Sequence, residues 1–98
     1  MTRLIKVVPS TRPDKKYMAI FETSADGRRK RVHFGSEGMD DYTLTGDKKQ
    51  RARYRRRHQK DLMTDDPTRS GYLSYYILWG DTPSFRQNVE DYRSRFNL

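Results

Sequence analysis

Lys16-Tyr17-Met18-Ala19-Ile20-Phe21-Glu22, then Asp26-Gly27, then Arg29-Lys30-Arg31-Val32-His33-Phe34 is the stretch that decides the fold. Two runs rich in β-branched and aromatic residues, separated by Asp-Gly, predict an antiparallel hairpin, because Asp-Gly accepts the positive φ of a tight turn. Side chains alternate along a strand, so Tyr17, Ala19 and Phe21 share a face that Val32 and Phe34 can join. Met18, Ile20, Arg31 and His33 then occupy the opposite face. The turn length leaves the exact register open.

On the N-terminal side, Leu4-Ile5-Lys6-Val7-Val8, closed by Pro9, reads as an edge strand. Strands are therefore expected over residues 3–8, 16–23 and 29–34. On the C-terminal side, the glycines and acids of 35–46 predict an irregular loop. Asp47 is a good N-cap for a helix over 47–62 that contains no Gly or Pro. Tyr54, His58 and Leu62 fall at i, i+4 and i+8 and form its narrow inward stripe. Thr64-Asp65-Asp66-Pro67 stops it. Ser70 is placed to cap a second helix over 71–79, apolar nearly all round and hence the central buried element, closed by Gly80. Thr82-Pro83 is placed to cap a third over 83–96, with Phe85, Val89, Tyr92 and Phe96 on one side. The expected architecture is α+β: a small antiparallel sheet of two or three strands with an N-terminal hairpin, followed by three helices, in one domain over 1–98.

Composition bounds the chemistry. The 98 residues carry 21 Lys+Arg against 13 Asp+Glu, a net charge of +8, which favours polyanionic partners. Twelve per cent of the chain is aromatic, enough to separate it from a disordered basic tail of similar charge. The absence of cysteine excludes disulfides, thiolate metal sites and cysteine nucleophiles. Met1–Lys6 lacks the apolar core of a signal peptide, and no apolar run is long enough for a membrane span. The expectation is an intracellular protein, or one carried inside a virion, with no membrane partner.

Between Lys48 and Lys60 there are eight Lys/Arg and no Asp or Glu. At about 100° per residue, Lys49, Arg53, Arg56, Arg57 and Lys60 share roughly a third of the helix circumference, opposite the Tyr54 stripe. Like charges at i, i+4 repel, and a polyanion relieves that repulsion. A second cluster, Arg28-Arg29-Lys30-Arg31, sits at the hairpin tip. These nine residues are the candidate nucleic-acid contacts, weighed against the common reading of a charge run as a merely solvated face. Arg51 and Arg55 flank the inner stripe, with Asp40, Asp41 or Asp47 as candidate partners.

The other chemistry-bearing residues read more plainly. Tyr72, Tyr75, Tyr76 and Trp79 are expected in the core rather than stacked on bases. His58 is expected to bond the Asp40-Asp41-Tyr42 loop, His33 to lie at the sheet edge, and the Asp40-Asp41-Tyr42-Thr43 loop to cap the basic helix and neutralise Arg51 or Arg55. No metal-ligand or phosphate-loop motif is present, so no catalytic residue, metal or cofactor is assigned.

Val32-His33-Phe34-Gly35, Asp41-Tyr42-Thr43, Tyr54 with Arg57-His58, Gly71 with Leu73, Ile77-Leu78-Trp79 and Tyr92-Arg93-Ser94-Arg95-Phe96 occur in that order. The ordered set, over residues 16–98, resembles a family of small basic proteins of large nucleocytoplasmic DNA viruses of algae and amoebae. The resemblance implies a viral setting and brings no mechanism with it. Three functions are weighed on these grounds. The first is non-enzymatic, largely sequence-independent DNA binding, as in packaging or organising a viral genome. The second is a minor capsid component with an acidic or capsid protein partner, and the third a small nuclease using His33 or His58. A homodimer through the N-terminal edge strand is also compatible with the sequence.

Overall fold

The computed structural model describes all residues from Met1 to Leu98. Strands β1 (Thr2–Pro9), β2 (Lys15–Thr23) and β3 (Arg29–Ser36) form an antiparallel sheet in the order β1-β2-β3. The register pairs Tyr17 with Phe34, Ala19 with Val32 and Phe21 with Lys30, so the expected face assignment holds. Gly27, at φ +70°, closes the turn and its N–H bonds the Thr23 carbonyl at 2.8 Å. The edge strand is the third strand of the sheet.

β1 contains a bulge between Leu4 and Lys6, which lets Leu4 and Val7 both face the core side of the sheet. The carbonyls released at the bulge are not left empty. Arg93 donates from Nε to Leu4 O at 3.2 Å and from Nη2 to Ile5 O at 3.0 Å. That fastens the C-terminal helix to the first strand.

Four helices follow the sheet, one more than the sequence pattern indicated. The additional one, α1 (Tyr42–Thr45), is a single turn capped by Asp41, whose carboxylate accepts from Thr43 N at 2.9 Å. The basic helix α2 (Lys48–His58) has Asp47 as its N-cap, accepting from Lys49 N and Gln50 N. It ends four residues before the expected boundary. Gln59–Thr64 tightens into a 3-10 helix, whose Leu62 carbonyl accepts from Asp65 N and from the Tyr72 hydroxyl. Those bonds satisfy one of the carbonyls that the end of a helix leaves open.

The third helix, α3 (Ser70–Leu73), widens into a π-helical segment, Ser74–Leu78. Arg69 stands at its N-cap with no side-chain cap, so the expected cap at Ser70 is not made. The last helix, α4 (Phe85–Phe96), is capped by Ser84, accepting from Gln87 N at 3.2 Å, rather than by Thr82. Thr82 is committed elsewhere, its hydroxyl lying 3.0 Å from the carboxamide oxygen of Asn88.

The core lies between the sheet face carrying Ala19, Phe21 and Phe34 and the aromatic segment of α3, with Val89 and Tyr92 of α4 completing it. Each fully buried large side chain there contributes roughly 2–3 kcal/mol of transfer free energy. Polar groups inside are all partnered. Asn88, 1% exposed, donates to Ile77 O and Thr82 O, both at 2.8 Å, tying the π segment to α4. Gly80 follows that segment, and a Cβ there would lie 2.2 Å from Tyr76 O.

Candidate nucleic-acid interface

The basic helix contains no fully buried residue. What docks it is a ring stack. Tyr54 lies between His58 and Trp79, with centroid separations of 4.1 Å and 4.3 Å. Tyr54, His58 and Leu62 thus face inward and remain half-buried. His58 does not bond the Asp41 loop. Its Nδ1 meets Asp61 Oδ2 at 3.0 Å, one turn on, because the 3-10 winding brings position 61 back beneath it. His33, on edge strand β3, meets Ser10 Oγ at 2.7 Å, far from His58 in the topology.

Seven of the eight cations of 48–60 fall into two groups, and Lys48, exposed at the first position of α2, stands apart from both. Arg51 and Arg55 turn toward the body. Their guanidinium groups reach Asp81 Oδ1 at 2.9 Å and 3.3 Å, and Arg95 reaches Oδ2 of the same carboxylate at 3.3 Å. Arg55 also sits 4.3 Å above the Tyr75 ring and Arg95 4.9 Å above Tyr76. The acid that neutralises the inner arginines is therefore Asp81, in the turn before α4, and not Asp40, Asp41 or Asp47. Asp41 is spent on Thr43 and on Lys16, whose Nζ lies 2.7 Å away. Its orientation is fixed by capping α1, which is why it neither caps α2 nor reaches Arg51.

Lys49, Arg53, Arg56, Arg57 and Lys60 form the other group. All five are exposed, and none has a carboxylate within 4 Å. Lys60 belongs to the 3-10 turn and not to α2 itself.

The hairpin tip is divided rather than continuous. Arg28 pairs with Asp26 at 3.5 Å and Arg29 with Glu22 at 3.1 Å. Arg31, opposite Ile20 in the register, faces the side of the sheet away from the helices. Lys30, opposite the buried Phe21, faces the helices instead and donates to Thr68 Oγ1 at 3.2 Å. Lys30 and Lys60 line one hollow, so one residue of each basic cluster meets the other cluster there. Sequence periodicity carries no signal for that meeting, which depends on the turn at 64–69.

No group of three His, Cys, Asp or Glu side chains is placed to hold a metal ion. No helix is long and apolar enough to cross a membrane.

Residues 5–58 match a family of unknown function (DUF5754). No curated protein and no solved structure matches the chain.

Proposed function

We propose, for a chain that belongs to the DUF5754 family and takes no assigned activity from it, a non-enzymatic and largely sequence-independent nucleic-acid-binding role, with DNA as the partner. One observation carries this reading: α2 and the 3-10 turn that continues it sort their cations. Arg51 and Arg55 are neutralised by Asp81, while Lys49, Arg53, Arg56, Arg57 and Lys60 are left exposed and unpaired. Solvation alone gives no reason to pair the inner arginines and keep acids away from the outer face. Phosphates supply the missing counter-charge, and with Lys30 about six contacts are within the protein's means.

Phosphate contacts position a protein on nucleic acid without reading sequence, so affinity here rests on charge and shape. Packaging or organising a genome inside a virion is the use that the viral resemblance favours. Titration of labelled DNA with the protein and with Arg53→Glu/Arg56→Glu/Arg57→Glu tests the reading. The expected outcome is loss of binding in the variant, with thermal stability nearly unchanged because these side chains touch no carboxylate. Equal binding by the two proteins contradicts it.

A further inference from the structure

We propose that the open face of the sheet is a second phosphate-binding surface, so that one molecule holds two DNA segments at once; this rests on the nucleic-acid reading above. Helices cover the side of the sheet that carries Ala19, Phe21 and Phe34. On the other side the register sets three rows across the strands. Arg3, Glu22 and Arg29 form one, Lys6, Ile20 and Arg31 the next, and Val8, Met18 and His33 the third.

Charge in these rows is sorted as it is on α2. The one acid is Glu22, and its carboxylate is taken by Arg29 at 3.1 Å. Arg3, Lys6 and Arg31 are exposed, and none has a carboxylate within 4 Å. Arg3 and Lys6 stand one row apart, about 7 Å, and Lys6 and Arg31 two strand spacings apart, about 10 Å. Three long side chains at that spacing can meet one stretch of phosphate backbone.

The apolar residues of this face are already covered. Ile20 and Met18 are only 6% and 5% exposed, although neither belongs to the core beneath the helices. Lys6 and Arg31 flank Ile20 in the register, and long cationic side chains lay their stems over such neighbours. Beside Met18, Ser10 Oγ meets His33 Nδ1 at 2.7 Å. The face therefore offers little apolar area to a second copy or a membrane, and what it presents is positive charge.

The two cationic surfaces lie on opposite sides of the sheet. α2 docks through Tyr54 on Trp79, and Trp79 belongs to the core on the covered side. Duplex DNA keeps its direction over about 500 Å, whereas the protein measures 42 × 27 × 23 Å. A duplex seated on α2 does not come round to the open face, which is left to a second segment. With three contacts against about six, the second site is the weaker and engages at low salt.

The test is a capture assay with the whole chain at low salt, with one duplex fixed on beads and a second, labelled duplex in solution. Lys6→Glu/Arg31→Glu is the variant, and Lys6→Gln/Arg31→Gln is a milder form should the first melt early; both positions are exposed. The wild-type protein should carry the labelled duplex onto the beads. The Glu variant should lower that capture by about tenfold, and the Gln variant by about threefold, while single-duplex binding stays within about threefold. Single-duplex binding without capture by the wild-type protein overturns the second site and leaves phosphate binding by α2 in place. So does capture that neither variant lowers, as a dimer joining two duplexes would give. Loss of single-duplex binding in step with capture overturns the two-segment claim, and binding of no duplex at low salt overturns both readings. Phosphatidylserine vesicles supply the last arm: vesicle binding that the Glu variant abolishes, with duplex capture intact, gives the face to a membrane and overturns the proposal.

Discussion

Tyr54 and Trp79 lie ring on ring, centroids 4.3 Å apart and planes 8° from parallel, and this stack docks a helix that has no fully buried residue of its own. The arrangement lets α2 keep most of its circumference for charge. An amphipathic helix of ordinary width would bury three or four apolar side chains per two turns and leave less room for cations. Here two aromatic rings and two arginines anchored on Asp81 do the same work.

Tyr54→Ala is therefore expected to destabilise the fold by about 2–4 kcal/mol, since it removes ring burial and two stacking contacts together. Urea denaturation followed by circular dichroism measures it. A change below about 0.5 kcal/mol would show that α2 is held by its arginines instead.

Alkaline pH should unfold the protein ahead of arginine titration. Burial pushes the Tyr54 hydroxyl up to about 12, with the Asp61 carboxylate adding to it. Burial also raises Tyr17, Tyr72 and Tyr92. A raised folded-state value means that stability is complete below the unfolded value near 10 and is lost as pH climbs through the folded one. For Tyr54 alone the loss approaches 2 kcal/mol by about pH 12. Melting temperatures between pH 8 and 12 should be flat to about pH 10 and fall beyond it, and Tyr54→Phe should soften the fall.

Asp81→Asn has two consequences of opposite value. Three arginines lose their shared carboxylate, which stands 57% exposed, so the stability cost should be small, about 1 kcal/mol or less. The same change releases Arg51, Arg55 and Arg95 and should tighten DNA binding by about two- to fivefold at low salt. Anisotropy titration of the variant checks it. Weaker binding would mean that Asp81 orients the interface rather than masking part of it.

Asn88→Ala should cost about 2–4 kcal/mol, because Ile77 O and Thr82 O lose their buried donor and a cavity opens beside the π segment. Thermal melts measure this directly. Binding by the surviving folded fraction should be unaltered, since Asn88 is buried and its hydrogen bonds go to Ile77 and Thr82, not to α2's outer cations.

The hairpin and its two faces were legible in the sequence because period-two alternation and Asp26-Gly27 are local signals, whereas the register that pairs Tyr17 with Phe34 comes from the structure. The early end of α2 was not legible. The 3-10 turn that follows it is closed by the Tyr72 hydroxyl on the Leu62 carbonyl, a contact across ten residues that no window of the sequence reports. The same holds for Asp81, whose partners lie 14, 26 and 30 residues away. The hairpin-tip cluster looked like one patch because four cations adjoin. Strand alternation then sends Lys30 to one face and Arg31 to the other, an outcome implicit in the register.

The central claim, that the unpaired cations of α2 and the 3-10 turn after it hold phosphates, is tested most directly by the salt dependence of DNA binding. Titrations at a series of salt concentrations should give a log K against log salt slope of about −4 to −5, as expected for about six phosphates. The slope should fall by about two or three units in the Arg53→Glu/Arg56→Glu/Arg57→Glu protein wherever residual binding is measurable. A slope near zero, or one that the triple variant leaves unchanged, would contradict the account.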